Sequence, residues 1–426
     1  MLLKEMSLSQ LSEFLEKHLQ DYESFKSKGL KLDMSRGKPE ARQLELSNEM
    51  LDVLNSKSSL KTENGTDVRN YGVLDGIAEA KNLFSQMLGV STNEIIIGGN
   101  ASLNLMYDMI ARTMILGNMD SEKPWGKYDK IKFLCPAPGY DRHFGICESL
   151  GIDMITVPMT SAGPDMDTVE KLVSEDDTIK GIWCVPMYSN PDGITYSDET
   201  VKRFASLKPK AKDFRIFWDN AYCVHHLTDT PDKLLNILDE CKNAGTPNMV
   251  YIFGSTAKVT FAGGGVSMIG ASEDNIKFTL KQLNFQTIGY DKINQLRHVR
   301  FFKDYSGLLL QMEKHKAILA PKFDAVIDML EKELSPLGVA EWINPNGGYF
   351  ISLNTFEGCA KRVVALCKEA GVVLTPAGAT FPYGKDPLDR NIRIAPTFPP
   401  VDELMLAAEL FCLCVKIASA EKLLNK

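Results

Sequence analysis

The sequence predicts an α/β protein with a mostly parallel central sheet, and three observations support this. Short apolar runs rich in β-branched and aromatic residues recur along the chain, separated by segments with helical periodicity. The runs are almost continuously hydrophobic, which is typical of strands covered on both faces. The chain has 426 residues, of which 44% are hydrophobic and 24% charged, a composition that excludes a mainly disordered or coiled-coil protein.

Six of these apolar runs are predicted strands, and they lie at 94–99, 130–136, 154–158, 179–186, 214–219 and 249–255. Helices are predicted between them, including 102–116 and 197–208, with Ser102 and Ser197 as N-caps. Open α/β sheets bind their ligands beyond the carboxyl ends of the strands. We therefore expect the functional residues to follow the predicted strands.

The pattern changes beyond residue 300, where helical periodicity dominates and ends in a long helix at 402–424. A strand is predicted at 347–353 within this region. We predict a large domain, a small α+β domain, and an N-terminal helix and segment that join the small domain. Their predicted ranges are 50–300, 301–426 and 1–49, respectively.

Charge and cysteine content narrow the class of protein. With 48 Lys and Arg against 55 Asp and Glu, the net charge is -7, so no overall basic field would attract nucleic acid or an anionic membrane. No apolar stretch reaches the roughly 20 residues of a membrane span, and the N-terminus does not resemble a signal peptide. The nine cysteines lack metal-ligand spacing, so we expect buried thiols, no metal site and a cytoplasmic enzyme.

Lys258 lies between a predicted strand and a glycine cluster, and a single lysine in such a place is more often a solvated surface charge. Other residues make it a catalytic candidate. Asp219 ends an apolar strand, and Tyr222 follows three residues later. Asn190 precedes Pro191 and a glycine at the end of another strand, a setting for a sharp turn with a cis proline. The order and spacing of this set are those expected of a pyridoxal-phosphate site.

The chemistry of that cofactor accounts for each residue type. A lysine amine, Lys258, is the nucleophile that forms a Schiff base with the cofactor aldehyde. A buried carboxylate, Asp219, would keep the ring nitrogen protonated, and Asn190 and Tyr222 would donate to the ring oxygen. The phosphate needs N–H groups at a helix N-terminus and hydroxyl donors, for which the candidates are Asn100, Ala101, Ser102 and Ser255.

The motifs RGKP, GGNASLNLMYD, CPAPGYDRHF, YSNPDG, GSTAKVTFAGGG and IGYDKINQLRH occur in this order. Together they resemble the class I aminotransferases of fold type I, which depend on pyridoxal phosphate, and most closely the bacterial aspartate aminotransferase subgroup Ic. The resemblance covers nearly the whole chain. It implies a large domain with a mostly parallel seven-stranded sheet, and a homodimer whose subunits share their active sites.

The resemblance also implies roles for individual residues. Tyr140 would stack on the cofactor ring, and His143 would orient Asp219. Arg393 would bind the substrate α-carboxylate, with Gly37 in a segment that closes over the substrate. Tyr71, in a motif that also contains Gly76, would reach the phosphate of the other subunit's cofactor.

One position departs from the pattern of the class. The arginine that class I enzymes usually carry eight residues after the lysine is replaced here by Val266. We expect the backbone N–H groups of Gly263, Gly264 and Gly265 to supply part of the missing phosphate binding.

The implied reaction is ping-pong transamination between amino acids and 2-oxo acids, with aspartate and 2-oxoglutarate as expected substrates. A second substrate carboxylate needs a second cation, and the candidates are Arg36, Lys38, Arg142, Lys292 and Arg297. The same core residues would also serve an aminotransferase of another amino acid or a C–S β-lyase. A non-catalytic regulatory protein on the same fold is a further alternative, against which the retained Lys258 argues.

Overall fold

The computed structural model describes residues 2–425. The α-helices in this range are α1 Leu8–Ser27, α2 Ala41–Glu45, α3 Ala78–Leu88, α4 Ser102–Leu116, α5 Asp141–Ser149, α6 Met166–Glu175, α7 Asp198–Ala205, α8 Ile237–Asn243, α9 Glu273–Leu283, α10 Lys292–Phe302, α11 Tyr305–Glu333, α12 Ala360–Glu369 and α13 Val401–Leu424. Short 3-10 helices lie at Leu3–Glu5, Asn48–Leu51, Trp125–Lys127, Pro247–Met249, Ser335–Leu337 and Pro382–Gly384. No helix within these residues combines the length and apolar character that crossing a bilayer demands.

The strands are β1 Leu32–Asp33, β2 Ile95–Ile97, β3 Lys132–Ala137, β4 Asp153–Thr160, β5 Gly163–Pro164, β6 Ile179–Cys184, β7 Arg215–Asp219, β8 Val250–Ser255, β9 Ser267–Gly270, β10 Ala340–Trp342, β11 Ile351–Thr355, β12 Val372–Val373 and β13 Asn391–Ile394. The large sheet has the order β2-β9-β8-β7-β6-β3-β4-β5. The six predicted strands are confirmed as β2, β3, β4, β6, β7 and β8. The seventh is β9, antiparallel to both neighbours, and the two-residue β5 adds an antiparallel eighth at the edge.

Both faces of the large sheet are buried, which explains the continuous apolar runs. In β7, Ile216 and Trp218 contribute to one hydrophobic core, whereas Phe217 between them contributes to another. The same alternation separates Ile252 from Tyr251 and Phe253 in β8. Because side chains alternate between the faces of a strand, a sheet with helices on both sides favours apolar residues at consecutive positions.

Of the two predicted N-caps, one is confirmed and one is wrong. The Ser197 hydroxyl accepts a hydrogen bond from the Thr200 N–H at the start of α7. Ser102, in contrast, is the first residue inside α4, and Ala101 occupies the cap position without a side-chain hydrogen bond. The first N–H groups of α4 are therefore not satisfied by a capping side chain.

The rest of the chain builds a smaller unit from both of its ends. Strands β10, β11 and β13 form an antiparallel sheet, and β1 pairs in parallel with β12. One hydrophobic core combines residues between Leu3 and Met34 with residues between Leu319 and Ala420. The division into an N-terminal segment, a large domain and a small domain, with boundaries at 49/50 and 300/301, stays a prediction.

A buried ion pair fixes the N-terminal segment to this unit. Lys322 on α11 lies 2.6 Å from the Glu40 carboxylate, and the two side chains are 1% and 9% exposed. The Lys322 ammonium also donates to the carbonyl oxygens of Thr397 and Pro399, at 2.9 and 2.8 Å. A buried charge is tolerated only when it is paired and hydrogen-bonded in this way.

We predict that Lys322→Met will lower the free energy of unfolding by about 3–5 kcal/mol, because it leaves the Glu40 carboxylate buried without its cation. Urea unfolding followed by circular dichroism measures this. Lys332→Met, on the same helix but with a side chain that is 77% exposed, is the matched control, and we expect it to change stability by less than about 0.5 kcal/mol. Equal effects of the two variants would contradict the prediction.

Candidate active site

A cavity of about 440 Å³ lies where the carboxyl ends of the parallel strands face the smaller unit. Most of the predicted site residues line it, namely Gly37, Ser102, Tyr140, Asn190, Asp219, Tyr222, Lys258 and Arg393. Asn100, Ala101, Ser255 and Tyr71 are not among the lining residues. Parallel strands end at one edge of the sheet, so polar residues that follow different strands meet there.

Lys258 lies in the turn that follows β8, half-buried between aromatic rings. Its Nζ atom is 5.2 Å from the ring centre of Tyr222 and 5.7 Å from that of Tyr349. Burial lowers the pKa of Lys258 below its usual value, and the Asp219 charge partly opposes this shift. A lower pKa increases the fraction of neutral amine, which is the nucleophilic form.

The turn that carries Lys258 is supported from behind by a buried polar chain that the sequence did not indicate. The Tyr349 hydroxyl lies 3.5 Å from the Lys258 carbonyl oxygen and accepts a hydrogen bond from Gln43 at 3.0 Å. The Gln43 amide also contacts His315, whose other ring nitrogen lies 3.0 Å from the Val259 carbonyl oxygen. Helix α2, the smaller unit and the lysine turn are thereby connected.

Asp219 ends β7 with a carboxylate that is only half satisfied. One oxygen, Oδ2, lies 3.0 Å from Nε2 of His143, and the other, Oδ1, is buried with no hydrogen-bond partner among the described residues. The His143 ring stacks on Trp183, with a centroid distance of 4.2 Å and an interplanar angle of 7°. A buried acceptor without a donor is costly, so the free oxygen marks a place for a donor from a bound group.

Arg393 on β13 reaches the cavity from the smaller unit and is 7% exposed. Its Nη1 atom donates to Asn190 Oδ1 at 3.1 Å and to Asp141 Oδ1 at 3.0 Å, and its Nε atom to Thr375 Oγ1 at 3.4 Å. The guanidinium lies 4.7 Å from the ring centre of Phe350. The arrangement holds a planar cation at the cavity wall, which suits recognition of a carboxylate.

The polar residues that line the cavity also include Asn190, Tyr140 and Tyr222. The Asn190–Pro191 peptide bond is cis, as the sequence predicts. Burial raises the pKa of Tyr140 to about 12 and that of Tyr222 well above its usual value. Both phenols therefore keep their protons at neutral pH and are available as hydrogen-bond donors.

The glycine cluster and Val266 lie outside the lining of the cavity. Val266 is buried in the core, and its N–H donates to the Thr256 hydroxyl at 2.9 Å. The carbonyl oxygens of Gly264 and Gly265 accept hydrogen bonds from Asn294, and the Gly264 N–H donates within its own turn. Binding of a phosphate by these glycine amides stays a prediction.

Several lining residues were not predicted from the sequence, and they are Ser35, Leu103, Met106, Asp141, Val185, Ala221, Phe350, Val373, Leu374, Thr375 and Pro376. Asp141 lies within the CPAPGYDRHF motif, directly after the predicted site residue Tyr140. Its place in the motif could therefore have indicated that it lines the cavity. Tyr71 lies apart from the cavity with 82% of its surface exposed. Its predicted role would require a second subunit.

The architecture defines a class. A crystal structure of an aspartate transaminase from Corynebacterium glutamicum superposes with a TM-score of 0.97 at 44% identity, covering 99% of both chains. The α-aminoadipate aminotransferase LysN of Thermus thermophilus, solved with N-(5'-phosphopyridoxyl)-L-leucine, shares the fold with a TM-score of 0.74 at 18% identity, covering 91% of this chain and 92% of LysN. The protein therefore has the fold-type I architecture of pyridoxal-phosphate-dependent aminotransferases.

The sequence comparisons give the family. Residues 6–426 match the family model described as aspartate amino-transferase. A curated aspartate aminotransferase of Corynebacterium glutamicum is 45% identical over 423 residues, which span 99% of this chain and 98% of that protein. The chain belongs to the aspartate aminotransferase family and is an aminotransferase.

We predict that Lys258 titrates at lower pH than the exposed Lys130, because burial lowers the pKa of Lys258 whereas the hydrogen bond with Asp153 raises the pKa of Lys130. Competitive labelling with acetic anhydride, read by mass spectrometry across the alkaline range in protein without a carbonyl ligand, measures both residues at once. Asp219→Asn should lower the pKa of Lys258 further, since the carboxylate favours the ammonium. Coincident titration curves for the two lysines would contradict the prediction.

Proposed function

We propose that the protein is an aspartate:2-oxoglutarate aminotransferase that uses pyridoxal phosphate bound to Lys258. The observation that carries the proposal is that Asp219 and Lys258 line one cavity, where Asp219 Oδ1 is buried without a hydrogen-bond partner among the described residues and burial lowers the pKa of the Lys258 amine. A carboxylate oxygen in this position is suited to a protonated ring nitrogen, and the amine is suited to an aldehyde. Few ligands carry both a protonated ring nitrogen and an aldehyde on one small ring.

The remaining residues also fit this cofactor. Tyr140 would cover one face of the ring, and Asn190 and Tyr222 would contact its oxygen. The positive end of the 15-residue helix α4 would favour the phosphate, with contacts from Asn100, Ala101, Ser102 and Ser255. When bound, pyridoxal phosphate supplies an electron sink for the bond that is broken at the substrate Cα.

The chain's own residues would then perform the binding and the proton transfer. Arg393 binds the α-carboxylate of the amino acid and so orients its Cα–H bond toward Lys258. The neutral Lys258 amine accepts the Cα proton as a general base. Gly37 lies on a segment that borders the cavity. This segment would exclude water from the bound substrate. The 2-oxo acid acceptor binds at the same arginine in the second half-reaction.

Two further arginines support a dicarboxylic substrate. Arg36 and Arg142 line the cavity and are exposed, and neither guanidinium has an ion-pair or hydrogen-bond partner among residues 2–425. Lys38 instead lies over the Phe398 ring at 4.2 Å, and Lys292 and Arg297 are not lining residues. The name of the 45% identical relative agrees with this assignment.

We further propose a cytoplasmic homodimer with shared active sites. Large apolar side chains that are exposed in the single chain support an interface, including Phe285 at 88%, Tyr71 at 82% and Ile115 at 71%. In the dimer, Tyr71 of one subunit would reach the phosphate in the other. The acidic net charge offers no support for a nucleic acid or membrane partner.

We predict that Lys258→Ala will lower the rate of transamination by about 10²- to 10⁴-fold, because the general base is lost. A coupled assay with aspartate and 2-oxoglutarate measures this. Borohydride reduction of the wild type with pyridoxal phosphate should attach the cofactor to Lys258, as seen by peptide mass spectrometry, and the variant should not be labelled there. Substantial turnover by the variant would refute the role of Lys258.

Substrate preference is tested by Arg36→Gln and Arg142→Gln, each of which removes one candidate for the second carboxylate. We predict that at least one variant will lower kcat/KM for aspartate by about tenfold and leave that for alanine almost unchanged. Lys38→Gln removes a nearby charge outside the cavity and is the matched control. If both arginine variants retain the preference for aspartate, the second cation is not one of these two residues.

A further inference from the structure

The cation proposed to bind the substrate α-carboxylate already holds a carboxylate of the chain itself. Asp141, the first residue of α5, lies with Oδ1 3.0 Å from Nη1 of Arg393, and the Asp141 side chain is 34% exposed. Asp141 also lines the cavity. The contact joins the start of a helix on the large sheet to a strand of the smaller unit.

The hydrogen bonds of Arg393 leave little room for a second carboxylate. The two N–H bonds of Nη1 point to Asn190 and Asp141, and the single N–H of Nε points to Thr375. A carboxylate that binds in the usual forked manner needs two neighbouring donors. Such a carboxylate must therefore use a nitrogen that is already engaged: Nη1, which contacts Asn190 and Asp141, on one edge, or Nε, which contacts Thr375, on the other.

Charge makes Asp141 the stronger obstacle of the two. A substrate carboxylate bound to Arg393 would share this cation with the Asp141 carboxylate, which lies 3.0 Å from Nη1, and two like charges held at one cation repel each other. Asp141 is exposed enough to turn toward solvent when a substrate arrives, since a carboxylate in water needs no protein partner.

We infer that Asp141 is an internal competitor for Arg393: it neutralises the arginine in the empty site and weakens the binding of every acid that must replace it. The inference rests on the proposed function, in which Arg393 binds substrate carboxylates. An aminotransferase binds and releases a carboxylate in each half-reaction. By returning to Arg393, Asp141 favours departure of the product.

The test is the affinity of the holoenzyme for succinate, a dicarboxylate without an amino group, measured by titration calorimetry. Asp141→Asn keeps the shape and removes the charge, and we expect it to bind succinate about threefold to tenfold more tightly than the wild type. Asp141→Glu restores the charge and should bind weakly again. Asp141→Ser is a second charge-removing variant should Asp141→Asn fold poorly.

Glu148→Gln is the matched control, because it removes the same charge from an exposed position on the same helix. We expect its affinity to equal that of the wild type, which separates the contact from a general change in net charge. Equal gains in Glu148→Gln and Asp141→Asn would overturn the inference. So would unchanged or weaker binding by Asp141→Asn, which would mean that Asp141 positions Arg393 for the substrate.

Arg393→Gln separates this inference from the proposed function. If the wild type binds succinate and Arg393→Gln does not, the proposed role of Arg393 stands and the Asp141 variants alone decide the inference. If Arg393→Gln binds as well as the wild type, the role of Arg393 fails, and competition for it fails too, whatever the Asp141 variants show.

Discussion

The buried carboxylate of Asp219 is the interaction on which the rest of the site depends. It lies at the end of β7 in the interior of the protein, and among residues 2–425 only one of its oxygens has a hydrogen-bond partner. His143 holds that oxygen, and the stacking of His143 on Trp183 fixes the direction of the bond. The second oxygen is buried without a hydrogen-bond partner among the described residues, and Asp219 lines the cavity, so a ligand that binds there can supply the missing donor. The charge also tempers the effect of burial on Lys258.

The positions of Asp219, Lys258 and Asn190 could be predicted because each follows a run that is buried on both faces. Such runs are identified by their continuous hydrophobicity, and parallel strands bring the following residues to one edge whatever their separation in sequence. A polar residue directly after such a run is therefore informative. The same reasoning predicted six strands of the large sheet.

What could not be predicted depends on contacts that leave no local signal. Strand β9 is short and ends in glycine, and only its pairing with β2 and β8 makes it a strand. Ser102 was expected to cap α4, but a serine at a helix start fits the cap and the first turn equally well. The bond between Arg393 and Asp141 joins residues 252 positions apart, and no spacing rule relates them.

The core shared by the two ends of the chain has a consequence for the order of folding. Residues between Leu3 and Met34 are synthesised first, yet their apolar partners lie between Leu319 and Ala420. During synthesis, this early segment cannot form its core contacts until almost the whole chain has emerged from the ribosome. All strands of the large sheet have emerged much sooner. Until those later residues emerge, the apolar side chains of this segment lack the partners that cover them in the folded protein.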